Sequence, residues 1–105
     1  MLPKINIYNT NKNIYILFYA NWCGYCRDYK PKWDLIKEKY KNSDNITLIE
    51  ISDEDYNDII TNKSDKYDDN ILNIAKSLKI NGFPTVYSVL NGETNQIDRN
   101  IILNL

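Results

Sequence analysis

Histidine is absent from this 105-residue sequence, and cysteine occurs only twice, at Cys23 and Cys26. A structural zinc site needs four ligands, usually Cys or His, so no closed Cys/His site fits within one chain. A metal shared by the thiolates of two chains stays open. With no cysteine beyond the pair there is no framework of structural disulfides, which argues for a reducing compartment. No apolar run approaches the roughly 18 residues of a membrane span. The opening Met-Leu-Pro-Lys-Ile-Asn lacks the basic region and unbroken apolar stretch of a secretory signal, and Lys4, Asn6, Asn9 and Asn11 interrupt it. The expectation is therefore a cytoplasmic protein. Net charge is only −1, too little to recruit nucleic acid or an anionic membrane.

What is present suits one domain spanning residues 1–105, with a core large enough to need no staples. Nine tyrosines add amphipathic bulk. The excess of Asn, Ile, Lys and Tyr is what an AT-rich genome encodes, as in some protists and large DNA viruses. Charge is unevenly spread. Residues 53–69 carry seven carboxylates against Lys63 and Lys66, a net of −5, so the remainder is near +4. This stretch reads as a solvated acidic excursion, either a polar surface loop or an electrostatic partner site.

Ile14 to Ala20 is a continuous apolar run, β-branched and aromatic, as expected of a strand buried on both faces in a parallel sheet. Cys26, Tyr29, Trp33, Ile36 and Tyr40 then recur at helical spacing, predicting a helix from about residue 23 to 41 that Pro31 should kink. Ile46 to Ile51 reads as the next strand. Asn70 offers a cap for a helix carrying Ile71, Ala75 and Leu78. Thr85 to Leu90 and a strand near Gln96 to Ile101 flank Asn91-Gly92, a strong hairpin signal. Lys4 to Tyr8 alternates like a strand, antiparallel to its successor or on an edge because the connection is short. Ile101 to Leu105 is too short for a stable closing helix. Sheet edges left open in this way could drive dimerisation.

The pair Cys23-Gly24-Tyr25-Cys26 falls where the buried strand ends and the helix begins. The first turn of a helix leaves backbone N–H groups unpaired and carries partial positive charge. A thiolate placed there is stabilised, and its pKa falls below the roughly 8.5 of free cysteine. Two intervening residues set the second sulfur one turn on. Cys23 is thus expected to be the exposed nucleophile, and Cys26, on the apolar stripe, the resolving thiol. The plain alternative, two buried cysteines acting as small hydrophobes, does not explain their position.

Phe18 to Arg27 (Phe-Tyr-Ala-Asn-Trp-Cys-Gly-Tyr-Cys-Arg), with Pro31 five residues after the second cysteine, resembles the active-site segment of thioredoxins and of the catalytic domains of protein disulfide isomerases. Gly82-Phe83-Pro84-Thr85 resembles the second signature of that family. The resemblance implies an α/β thioredoxin-like domain, a mixed sheet of about four to five strands flanked by helices. The acidic segment at residues 53–70 is then an insertion and the C-terminus is shortened. It also implies a cis Pro84 facing the cysteines, Trp22 flanking the sulfur, and backbone at Phe83 and Pro84 receiving an extended substrate.

Two departures from the family pattern stand out. Thioredoxins and disulfide isomerases usually hold a buried acid six residues before the first cysteine, and here that residue is Leu17. Glu50 occupies the place of a usual lysine on the neighbouring strand. It is either the relocated acid that takes the proton of Cys26 or a plain carboxylate at the strand's end. The intervening Gly-Tyr departs too, and Tyr25 brings no positive charge at neutral pH, so the expected potential lies at roughly −270 to −180 mV. The reaction implied is dithiol–disulfide exchange on protein disulfides, with no cofactor beyond an external electron donor, a reductase or glutathione. Two rivals remain. One is a glutathione-dependent, glutaredoxin-like reductase, favoured by the short lead-in but lacking a Gly-Gly-Asp-type signature after Asn91-Gly92. The other is a non-catalytic thioredoxin-like binding module.

Overall fold

The computed structural model describes Ile7 and residues 12–105. The predicted strand at residues 4–8 lies, apart from Ile7, outside the described residues. Four strands form one mixed sheet: β1 (Asn13–Tyr19), β2 (Ile46–Ser52), β3 (Thr85–Leu90) and β4 (Glu93–Ile97), in the spatial order β2-β1-β3-β4. β1 runs parallel to β2 and antiparallel to β3, and β4 closes a hairpin on β3. Three α-helices, α1 (Gly24–Lys39), α2 (Asp53–Ile60) and α3 (Asp69–Ser77), precede a C-terminal 3₁₀ helix (Arg99–Asn104). Among the described residues no helix is long and apolar enough to cross a membrane.

β1 is central because both of its faces are apolar. Ile14, Ile16 and Phe18 enter one core with Ile51, Ile59, Ile71, Tyr87 and Val89. Leu17 enters the other with Tyr29, Trp33, Leu48, Val86 and Ile102. The stripe read on the first helix is the buried face of α1, where Cys26, Tyr29 and Trp33 are covered. Pro31 lies inside α1 on its exposed side. Asn91 (φ 52°) and Gly92 (φ 77°) take the left-handed conformations that a tight hairpin of this hand requires.

Three expectations need correction. Residues 53–69 are a polar loop only in part: residues 53–60 form α2, and the loop is confined to residues 61–68. Ser52 caps α2 by accepting the Asp55 N–H at 3.1 Å, and the acidic first turn (Asp53, Glu54, Asp55) complements the helix dipole. This helix is anchored inward by Ile59, 1% exposed, and by Tyr56, whose ring meets Phe18 edge-on at 5.7 Å. Tyr67 ties the rest of the segment down, donating its hydroxyl to Glu50 O (2.9 Å) and Asp55 Oδ2 (3.2 Å). Second, α3 is capped by Asp68 and not by Asn70; its Oδ1 accepts the Ile71 N–H at 2.9 Å. A carboxylate two residues earlier reaches the same free amides.

Third, β4 ends at Ile97, and a closing helix does form beyond it. The 3₁₀ helix has tertiary support that its length alone does not supply. Asp98 caps it, Ile102 is fully buried against α1, and the Tyr29 hydroxyl donates to Arg99 O at 2.6 Å.

Candidate active site

The C-terminal end of β1, the start of α1 and the turn into β3 converge on the two cysteines. Both are free thiols. Cys23 is the N-cap of α1, with extended backbone (φ −86°, ψ 122°), and its Sγ accepts the Cys26 N–H at 3.4 Å. The thiol of Cys23 donates to Phe83 O at 3.4 Å. Phe83-Pro84 is a cis peptide, so the expected second signature stands against the first cysteine.

Exposure does not distinguish the two thiols as the sequence led us to expect. Cys23 is 8% exposed and Cys26 2%. Their protonation does. Burial works against ionising Cys23, but hydrogen bonds from the Cys26 thiol and from the backbone N–H groups of Cys26 and Tyr25, with the charge of Arg99, hold its pKa below the ordinary thiol value. Burial, with the hydrogen bond and charge of Cys23, pushes Cys26 up to about 11, although the Ala20 backbone and Arg99 pull the other way. Of the two thiols, Cys23 is therefore the easier to ionise, and Cys26 holds its proton more firmly.

That raised value has a stability consequence. Between the unfolded thiol pKa and about 11, the folded chain holds a proton that the unfolded chain has lost, so stability falls as pH rises. Cys26 contributes roughly 2–3 kcal/mol below pH 8.5 that is gone above pH 11. Denaturant titrations of the reduced protein at pH 8 and pH 10.5 should show a loss that Cys26→Ser lacks.

The rim is aromatic. Trp22 is 67% exposed, meets the Phe83 ring edge-on at 5.8 Å, and donates its indole N–H to Asp53 Oδ2 at 2.8 Å. Tyr25, 73% exposed, lies under the guanidinium of Arg99, 6.0 Å from ring centre to Arg99 Cζ. Gly24 has no backbone need to be glycine, since a Cβ there would meet nothing within 4 Å. Among the described residues no group of three or more metal-ligating side chains comes together.

Glu50 sits beside Leu17 in the β1/β2 register and faces α1. Its carboxylate takes both Oε atoms to Lys37 Nζ (2.7 and 2.8 Å) and lies 4.0 Å from Lys30 Nζ. No hydrogen bond joins it to either cysteine among the described residues. Sequence reasoning missed Asp53 and Arg99. Asp53 was visible only as one of many acids in a presumed loop, and Arg99 was placed inside a strand; neither has a local signal pointing to Cys23.

The thioredoxin family profile matches residues 4–100. A protein disulfide-isomerase of Gallus gallus is 31% identical over 79 residues, 75% of this chain and 12% of that protein. A thioredoxin domain-containing protein of Acanthamoeba polyphaga mimivirus is 31% identical over 91 residues, 85% of this chain and 23% of that one. The chain thus spans less than a quarter of the length of these relatives. In structure it is similar to tryparedoxin II of C. fasciculata, with a TM-score of 0.62 at 20% identity, covering 90% of this chain and 71% of that one. The family match, the Cys-x-x-Cys pair capping α1 and the cis proline beside it agree, and the chain belongs to the thioredoxin family.

Proposed function

We propose that the protein is a thiol–disulfide oxidoreductase acting on protein disulfides through Cys23 and Cys26. The observation that carries this is the placing of the pair: Cys23 caps α1 with its sulfur on the Cys26 N–H and against the carbonyl of the cis Phe83-Pro84 peptide, while Cys26 lies one turn deeper, an arrangement that favours ionising Cys23 and disfavours ionising Cys26. The Cys23 thiolate attacks one sulfur of the target disulfide and expels the other as a thiolate, leaving a mixed disulfide. Cys26 then loses its proton, attacks Cys23 Sγ and releases the substrate as a dithiol, with Cys23–Cys26 oxidised. An external thiol or reductase restores the pair. Asymmetry matters here. Attack needs one ready nucleophile, whereas a second ready one would compete for the substrate.

The groove supports an extended substrate. The Phe83 backbone lies against Cys23, and Trp22 and Tyr25 wall the opening with exposed rings. Beside Cys26 opens a cavity of about 270 Å³ bordered by Asn21, Lys30 and Asp34, a route by which its proton can reach solvent. The test is trapping. Cys26→Ser incubated with a disulfide-bonded protein should accumulate a covalent adduct that reductant releases. Capture without a covalent bond would instead support a binding module.

The ion pairs of Glu50 favour the plainer of its two readings, a carboxylate that ties β2 to α1 through Lys37 and Lys30. Glu50→Gln should then leave the Cys26 titration and the turnover within about twofold of wild type. The expected stability loss is about 1 kcal/mol or less, as for partly exposed pairs. A shifted Cys26 titration, followed by ultraviolet absorbance of the thiolate, would restore the proton-transfer role.

A further inference from the structure

Arg99 brings a positive charge to the groove, and among the described residues no carboxylate forms an ion pair with it. Its side chain makes no ion pair and no hydrogen bond among the described residues, and its contact is the Tyr25 ring. Yet the residue is half-buried and its backbone is fixed, held by the Tyr29 hydroxyl and by the 3₁₀ helix that begins at it. A partly desolvated guanidinium gains most from a carboxylate, which its planar fork of N–H donors grips with two parallel hydrogen bonds.

Beside Arg99 there is room for such a group. A cavity of about 350 Å³ opens between the start of β3 and the end of β4, lined by Pro84, Thr85, Gln96, Asp98, Arg99 and Asn100 among others. Its lining is mainly polar, unlike the aromatic rim around Cys23. The Thr85 hydroxyl is committed to Gly82 O at 2.7 Å. Asp98 is the one other charged group in the lining, and its Oδ1 accepts the Asn100 N–H at 2.9 Å, an interaction that keeps it on its own helix. Pro84 belongs both to this cavity and to the groove, so a side chain flanking the target cysteine stands next to it.

We propose that this cavity is an anion subsite of the substrate groove, in which Arg99 takes the carboxylate of an Asp or Glu close to the target disulfide. The proposal rests on the thiol–disulfide reading above and adds substrate preference to it. Arg99 then has two duties at one place: its field favours the Cys23 thiolate, and its donors select the segment that the thiolate attacks.

The test uses pairs of oxidised peptides, each with one disulfide, that differ only by Glu or Gln at a position flanking a cysteine. For at least one position, kcat/KM should favour Glu by about fivefold at low salt, the scale of one favourable ion pair. The ratio is taken within one enzyme, so the effect of Arg99 on Cys23 largely cancels. It should fall to about one in Arg99→Gln, recover only in part in Arg99→Lys, which keeps the charge and loses the two-pronged grip, and rise in Asp98→Asn. In wild type it should also shrink when ionic strength is raised beyond about 0.3 M, a readout that needs no variant to fold. A ratio of one at every position, or a preference indifferent to both Arg99→Gln and salt, overturns the subsite. Failure to reduce both peptides of every pair overturns the thiol–disulfide reading itself.

Discussion

Reduced protein exposed to iodoacetamide at pH 7 should take up label at Cys23 at least about a hundredfold faster than at Cys26. The figure follows from thiolate populations, because the thiolate is the reacting species. With Cys26 held near 11, about one molecule in ten thousand carries its thiolate at neutral pH. Cys23 lies below the ordinary value of 9.0, which puts its thiolate at one in a hundred or more. Mass spectrometry of peptides from a time course reads both rates in one experiment. Raising the pH to 10 should narrow the ratio, since Cys23 is by then mostly ionised while Cys26 still gains. Arg99→Gln should slow Cys23 and slow Cys26 as well, because the same charge favours both thiolates. Two thiols with equal, sluggish rates would remove the basis of the mechanism.

Ile102→Ala should destabilise the fold by about 2–5 kcal/mol, the range for a buried aliphatic side chain cut back to Ala. Ile101→Ala, one residue away, should cost about 0.5 kcal/mol or less. Ile102 is fully buried among Leu17, Tyr29, Trp33 and Val86, whereas Ile101 is 52% exposed. The contrast separates a 3₁₀ helix that belongs to the core from one that merely rests on it. Urea titrations of the two variants measure it directly. Loss of the helix would also free Arg99, so Ile102→Ala is expected to slow Cys23 alkylation in parallel.

The elements that could be read from the sequence are those whose pattern is local. β1 carries an unbroken apolar run from Ile14 to Tyr19, β2 and β3 are rich in β-branched and apolar residues, and the stripe from Cys26 through Trp33 persists for two turns of α1. The Asn91-Gly92 pair needs nothing beyond its own backbone preference. α2 was hidden because it is eight residues long and buries only Ile59 completely, while its acids looked like solvent-facing charge. Its hold comes from Tyr56 and Tyr67, whose rings and hydroxyls reach partners far along the chain. The 3₁₀ helix escaped for the same reason, since its support is Tyr29 and Trp33 on another element.

The site divides along the same line. Cys23, Cys26, Phe83 and Pro84 sit in short motifs, and the structure brings them together. Trp22 was found by position, but its indole partner Asp53 comes from 31 residues away. Arg99 lies 70 residues beyond Tyr29, the side chain that fixes its backbone. A charge that acts through space leaves no trace in spacing. Glu50 shows the converse: its place in the sequence invited a chemical role, and its neighbours Lys37 and Lys30 supply a structural one.

In this chain the attacking sulfur also starts a helix, because Cys23 Sγ accepts the amide of Cys26 in the role a serine or aspartate oxygen usually fills. An ionised sulfur accepts that bond strongly, and a sulfur spent in a disulfide accepts it weakly. Gaining two electrons therefore tightens the first turn of α1, and losing them slackens it. Folding and electron affinity become two readings of one hydrogen bond, and a substitution that firms the start of the helix only in the dithiol form would make the protein a stronger oxidant.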